Sequence, residues 1–313
     1  MRKVHRFNNR EEWLDARKGG IGASEVATIL GINPFCTPYQ LWRLKKGIDS
    51  PIQENFAMRA GHYLEDAVAK FYADETGAHI IQSSAEDFIF TNTNVPYIQV
   101  SPDRTFWEAG KAHNNQNKCI LECKTTQRMI DKDNIPNHWY IQLQTNLGVS
   151  EFEHGALAWL IQGREFDYRN YALDKDFFKF LSEETARFYT DYILGDKEPS
   201  AMSATDVLLK HPKHIEGKVA KASNDILNTI ERLKEVKNEL KRYDTEKDEL
   251  EDIIKVAMAD AEFLEGAGGE IIATWKSGKD TSKFNAKKFA SENPELHAKY
   301  IELQAGARRF NLK

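Results

Sequence analysis

Between residues 79 and 172 the chain alternates short runs of β-branched and aromatic residues with one helical interruption, and this order points to an α/β (α+β) chain. Runs 79–82, 88–91, 97–101 and 105–107 read as strands. The polar stretch 108–118 then has the character of a hairpin loop before a further strand at 119–124. Residues 138–147 carry helical spacing, and 155–161 with 165–172 read as another strand pair. Ahead of the strands, residues 8–30 read as two helices joined at Gly19-Gly20-Ile21-Gly22, the second starting near Ala23 or Ser24 and closing at Gly31. Thr37-Pro38 caps a third helix that Gly47 ends, and residues 54–76 form a fourth, carrying Glu65 and stopped by Gly77. A helix over 174–194 closes this part.

A break in the pattern after Pro199 divides the chain into an expected domain at 1–199 and an extension at 200–313. In the extension, residues 220–263 repeat apolar positions at steps near three and four, as one long amphipathic helix or a pair of helices. A strand at 271–275, a helix after Asn285 and a short strand at 309–312 are expected to follow. Residues 275–313 hold 9 basic and 4 acidic side chains, so this tail is locally basic.

With 41% apolar and 29% charged residues, 9 Pro and 18 Gly, the 313-residue chain has an ordinary globular composition. It has no apolar run of membrane-spanning length and no signal-peptide pattern behind its basic first residues, so a cytoplasmic, membrane-free protein is expected. Cys36, Cys119 and Cys123 lack CxxC spacing and read as free thiols. A net charge of −5 argues against binding nucleic acid over the whole surface, while leaving room for a local basic channel.

Chemistry concentrates at Ser101-Pro102-Asp103 and, one hairpin later, Glu122-Cys123-Lys124. Residues two apart in a strand face the same side, so Glu122 and Lys124 project together while the backbone carbonyl of Cys123 stays available. Two carboxylates and a carbonyl can share a Mg²⁺, which prefers oxygen ligands, and an adjacent lysine suits phosphodiester hydrolysis. Taken alone, the same residues also read as a turn aspartate and an exposed cross-face ion pair.

Three further segments bring a family into view. The stretch from Trp13 through Arg17, Gly19, Ile21, Ala23, Ser24 and Glu25 resembles the N-terminal W-x-x-x-R-x-G-x-I-x-A-S-E pattern of the λ-exonuclease/YqaJ-type viral recombination nucleases. Gly61 with Glu65 resembles the family's G-x-x-x-E, Ser101-Pro102-Asp103 its S-P-D, Glu122-Cys123-Lys124 its E-x-K, and Tyr140, Gln142 and Gln144 its Y-x-Q-x-Q. The five occur in order over roughly residues 8–195.

This resemblance implies a PD-(D/E)XK restriction-endonuclease-like core, a central mixed sheet flanked by helices. It also implies hydrolysis of DNA with two Mg²⁺ ions, Mn²⁺ being a possible substitute. The expected activity is 5′-to-3′ digestion of double-stranded DNA ends, leaving 3′ single-stranded tails for phage-type or prophage recombination. By position, Asp103, Glu122 and the Cys123 carbonyl are implied metal ligands, Lys124 the catalytic lysine, Glu65 a helper carboxylate and Gln142 a neighbour of the scissile phosphate. Arg17, Ser24 and Ser101 are implied to form a 5′-phosphate pocket. A homotrimer and a single-strand annealing protein are the implied partners.

Each residue also has a plainer reading: Arg17, Gln142 and Gln144 as solvated helix residues, Ser24 as an N-cap, and His62, His138 and His154 as structural or surface groups. Trp42, Trp107, Trp139 and Trp159 are expected to pack in the core rather than stack on bases. The length beyond residue 200 departs from the shorter λ exonuclease core and puts a ring architecture in doubt. An endonuclease, or a DNA-binding scaffold without catalysis, remains the alternative.

Overall fold

A computed structural model describes residues 1–50, 53–81, 88–131, 133–302 and 306–312, and the chain separates into two compact units, Met1–His211 and Pro212–Lys313. The first unit begins with β1 (Arg2–Arg6), α1 (Arg10–Arg17), the two-residue β2 (Ile21–Gly22), α2 (Ala23–Ile29), α3 (Pro38–Lys45) and α4 (Phe56–Thr76). Strands β3 (His79–Ile81), β4 (Phe88–Asn92), β5 (Ile98–Val100), β6 (Arg104–Trp107) and β7 (Lys118–Thr126) follow. Then come α5 (Asn137–Ser150), β8 (His154–Ile161), β9 (Glu165–Ala172), α6 (Lys175–Phe188) and α7 (Ala204–Lys210). Of the expected strand 79–82, Gln82 lies outside the described residues.

The strands form two sheets in this unit. A mixed five-stranded sheet runs β3-β6-β7-β8-β9, in which only β7 and β8 pair in parallel, with α5 as the crossover between them. A second sheet runs β1-β4-β5-β2. The strands expected at 88–91 and 97–101 therefore belong to this smaller sheet, and Ser101-Pro102-Asp103 is the connection by which the chain leaves β5 and enters β6. The first strand and β2 have too little apolar pattern to be read from sequence, since β1 is mostly exposed and β2 has two residues.

Strand β7 has both faces covered, and residues 119–123 are buried without a break. Leu121 and Cys123 pack with Val68, Ala69 and Tyr72 of α4, whereas Ile120 packs with Leu143 and Leu147 of α5. Helix boundaries follow local chemistry. Thr37 caps α3 by accepting from the Gln40 amide, and α4 ends at Gly77, whose φ of 70° is left-handed. Beyond α6 the helix continues as a π-helical turn over Tyr189–Leu194, and Gly195 ends it.

The sequence reading placed α7 in the extension, but it belongs to the first unit. Asp206 is fully buried, accepting from Thr37 Oγ1 at 2.9 Å and from the Met202 and Ser203 amides. In the second unit, α8 (Asn224–Met258) is one unbroken helix, followed by the hairpin β10 (Phe263–Glu265) and β11 (Ile271–Thr274) and the short helices α9 (Ala286–Glu292) and α10 (Pro294–Lys299). The strand expected at 309–312 does not form: those residues pair with no strand among the described residues, and their β-like run is too short to hold a strand alone.

Candidate active site

Glu122 projects from the middle of β7 toward α5 and is completely buried. A buried carboxylate is costly unless its oxygens are matched, and here three donors meet it. Gln142 Nε2 donates to Oε2 at 2.7 Å, Lys124 Nζ to the same oxygen at 3.0 Å, and Asn146 Nδ2 to Oε1. Gln142 and Asn146 stand one turn apart on α5 and so share its sheet-facing side. Gln142 Oε1 in turn accepts from Lys124 Nζ at 3.0 Å, which fixes the lysine between two oxygen acceptors.

Asp103 enters from the β5–β6 connection. Its Oδ2 accepts the Cys123 amide at 2.8 Å, and its Oδ1 takes no hydrogen bond among the described residues. Glu65 approaches from α4 and lies 4.0 Å from the guanidinium of the buried Arg104, which also pairs with Asp66. Asp103, Glu122, Lys124, Glu65 and Gln142 thus come together around the C-terminal half of β7.

The local electrostatics are those of crowded carboxylates. Burial first, and then the charge of Asp103, pushes Glu65 up to about 8 and Glu122 up to about 7. Burial works against the charged form of Lys124, but the Glu122 and Asp103 carboxylates outweigh it and hold the ammonium above its ordinary value. The lysine stays charged while two carboxylates beside it resist ionising together. A divalent cation would relieve that resistance.

Among the described residues, no group of three or more His, Cys, Asp or Glu side chains converges as a metal site. The donor set is therefore a sparse one: Asp103, Glu122 and a backbone carbonyl, all hard oxygens. That fits Mg²⁺, which keeps several waters and shares substrate phosphate, better than a metal needing a complete protein cage. His62 instead pairs with Glu54 at 3.0 Å, and His138 faces Phe35 and Trp139.

Arg17 and Ser101 are brought together through Trp13, and no contact among the described residues joins Ser24 to them. The Arg17 guanidinium lies over the Trp13 ring at 4.4 Å, and Trp13 Nε1 donates to Ser101 Oγ at 3.3 Å. Ser101 also donates to the Phe88 carbonyl at 2.9 Å. Trp13 is buried and thus supports both residues. Burial lowers the Arg17 pKa while the nearby Glu25 raises it, and Glu25 is itself held by the Gly22 amide at 2.7 Å and by Lys45 at 2.8 Å. Gly22 is the N-cap of α2, so Ser24 sits exposed in the first turn, its side chain making no hydrogen bond among the described residues.

Asn146 escaped the sequence reading, although its position one helical turn after Gln142 was a usable signal. Trp13 was visible there only as part of a motif. Of the four tryptophans, Trp139 and Trp159 are buried; Trp42 donates to the Tyr192 carbonyl, and Trp107 stacks on His113.

An aspartate ahead of one strand, a glutamate and lysine two apart on the next, and a parallel strand reached through a glutamine-bearing helix define the class of the fold: a PD-(D/E)XK-type core. The model of the YqaJ-like viral recombinase domain matches residues 12–153. An uncharacterised protein YqaJ of Bacillus subtilis (strain 168) is 30% identical over 318 aligned positions, spanning 97% of this chain and 94% of that protein. The chain belongs to the YqaJ-like viral recombinase family. Two solved structures are similar to it in part. An alkaline exonuclease from Laribacter hongkongensis matches 58% of this chain and 92% of its own, at 16% identity and TM-score 0.45. A phage-related exonuclease from Haemophilus somnus 129PT matches 56% and 94%, at 12% identity and TM-score 0.39.

Proposed function

We propose that this chain is a Mg²⁺-dependent exonuclease that digests double-stranded DNA from 5′ ends and leaves 3′ single-stranded tails for recombination. The observation that carries the reading is the buried Glu122–Lys124–Gln142 network beside Asp103. A charged lysine held between a carboxylate and an amide, with a second carboxylate adjacent, has a ready use in phosphodiester hydrolysis. A homotrimer and a single-strand annealing partner belong to the same reading, resting on the family alone. No described helix is long and apolar enough to cross a membrane.

Asp103, Glu122 and the Cys123 carbonyl would hold the metal, as one ion or as part of a pair, with Mn²⁺ able to substitute. Bound there, it supplies Lewis acidity toward a phosphate oxygen and makes a water easier to deprotonate. The chain's own residues do the rest. Lys124 faces the attacking water and the phosphate, orienting the first and countering the negative charge that grows on the second. Gln142 fixes Lys124 and, by donating to Glu122, keeps that carboxylate turned toward the metal. Glu65, poised near neutrality, can hold or release a proton within the site. Water oxygen bonds to phosphorus, the bond to the 3′ oxygen breaks, and a proton reaches the leaving oxygen.

Arg17 grips the terminal phosphate. Trp13 beneath the guanidinium and Ser101 beyond it fix the approach, and Ser24 adds a free hydroxyl. The decisive assay compares linear duplexes ending in 5′ phosphate or 5′ hydroxyl with closed circular DNA. The wild type should degrade phosphorylated linear ends and leave circles intact. Lys124→Ala should reduce cleavage at least about a thousandfold, in keeping with loss of a charge-stabilising group, and Arg17→Ala should lose the phosphate preference. Cutting of circles would establish an endonuclease, and tight binding of linear duplex without cleavage in Mg²⁺ or Mn²⁺ would establish a scaffold.

A further inference from the structure

The second unit contains a seam that the nuclease reading leaves unused. Helix α8 is 35 residues long, about 50 Å at 1.5 Å per residue. Its sequence fits a heptad throughout. Ile226, Leu233, Leu240, Lys247 and Ile254 occupy the a positions, and Thr229, Val236, Tyr243, Leu250 and Ala257 the d positions. These residues line one side of the helix, and Ile226, Leu240, Tyr243, Leu250 and Ile254 are each 44–58% exposed. Five heptads of such a stripe are more than an isolated surface helix requires.

The charges beside the stripe say what can cover it. In a parallel pair each g residue meets the e residue of the partner's next heptad. Self-pairing in parallel would therefore set Glu239 against Asp244, Glu246 against Glu251, and Arg232 against Lys237, like charge against like at every charged contact. An antiparallel self-pair centred on the helix would set Lys247 opposite Val236 at both ends, with no acidic residue facing it on the seam, while its flanking contacts cancel, Glu239 repelling Glu246 and Lys237 attracting Asp244. A second copy of this chain is a poor match in either direction. Along the middle heptads, the four flanking residues Glu239, Asp244, Glu246 and Glu251 are all acidic, and Lys247 stands between them at a seam position, its ammonium 3.2 Å from Asp248 in the uncovered helix.

We propose that α8 is one strand of a heterotypic coiled coil. Its partner is a heptad helix of another protein, with Lys or Arg at the e and g positions facing Glu239–Glu251 and an acidic residue on its seam facing Lys247. A single polar residue at an a position fixes register at some cost in stability, and that is the part Lys247 plays here. This inference does not depend on the nuclease reading, because the stripe and its charges lie outside the catalytic site.

The test uses the full-length chain and three fluorescent synthetic peptides of 35 residues. Two have Leu at a and d, one with Lys at e and g and the other with Glu; the third has the Lys peptide's composition in scrambled order. Anisotropy titrations should show the Lys heptad peptide binding at least about tenfold tighter than either control, a difference of about 1.4 kcal/mol. Leu240→Asp with Leu250→Asp should remove that binding with far-UV dichroism unchanged. Glu246→Lys with Glu251→Lys should transfer the preference to the Glu peptide. Equal binding of the heptad and scrambled peptides would overturn the proposal. So would sedimentation equilibrium showing that the wild type self-associates and that the double aspartate variant does not.

Discussion

At the scale of single residues, the state of Glu122 and Glu65 sets the conditions under which the site can work. Both are raised carboxylates, so in the metal-free folded chain they keep protons that the unfolded chain has released. Their contribution to stability is therefore fullest below the ordinary value of 4.5 and is lost as pH climbs through about 7 and 8. A metal bound as proposed would reverse the balance, because it needs the ionised forms and competes with their protons. Activation by Mg²⁺ should accordingly require roughly tenfold more metal for each pH unit below about 7. Titrations of cleavage against Mg²⁺ at pH 6 and pH 8.5 measure this, and calorimetry of Mn²⁺ binding in two buffers should show protons released. An activation curve that does not move between those pH values would separate Glu122 from the metal. Asn146 offers a second check: Asn146→Ala leaves Glu122 Oε1 without its donor inside the core, which should cost about 1–3 kcal/mol and lower the melting temperature. The same variant should weaken Mn²⁺ binding. Asp103, Glu122 and Lys124 were legible in sequence because strand alternation pairs the last two and the hairpin loop brings the first near. Asn146 was less so: its place one turn after Gln142 marks the same helix face, but nothing in the sequence says that this face meets a buried carboxylate.

At the scale of elements, α5 matters most, because one of its faces supplies Gln142 and Asn146 while another packs on α6. Gly148 makes that second contact possible. A Cβ there would lie 2.3 Å from the Phe178 ring, closer than any side chain can approach without movement of the helix or the ring. Gly148→Ala should therefore destabilise by about 1–3 kcal/mol despite its favourable helix propensity, as overpacking does, and should do so without touching a charged group. Thermal melts of this variant beside Gly163→Ala, at a surface turn, would separate packing from backbone strain; equal stability of Gly148→Ala and the wild type would mean that α6 does not hold Phe178 against α5. Most elements of the first unit were readable from apolar spacing, with Thr37, Gly47 and Gly77 marking ends. What spacing could not show was which strands share a sheet. Runs 88–91 and 97–101 are as strand-like as β6 and β7, yet the chain passes into the smaller sheet between β3 and β4 and returns to the five-stranded one at Ser101-Pro102-Asp103.

At the scale of the molecule, the question is where the catalytic unit ends. Composition breaks at Pro199, and a boundary placed there looks natural because the following residues lack periodicity. The physical boundary is set by Asp206 instead. Its carboxylate is the common acceptor for Thr37, which caps α3, and for the amides that begin α7, while Met202 packs over Gly31 at the end of α2. One buried charged group therefore ties residues far apart in sequence, a link that no local pattern announces. A chain ending at residue 199 would lose the acceptor and uncover the α2–α3 corner. A chain ending at 211 would keep both. Loss of a charge-assisted hydrogen bond of this kind is worth about 1.5–3 kcal/mol, and for a unit of this size that corresponds to about 3–12 °C in melting temperature. Melting curves of the two truncations and of Asp206→Asn in the full chain decide the matter. The 1–211 chain should unfold in one cooperative transition above the 1–199 chain, and Asp206→Asn should fall below the wild type in the first unit's transition. Identical melting of the two truncations would return the boundary to Pro199 and leave α7 a passive appendage.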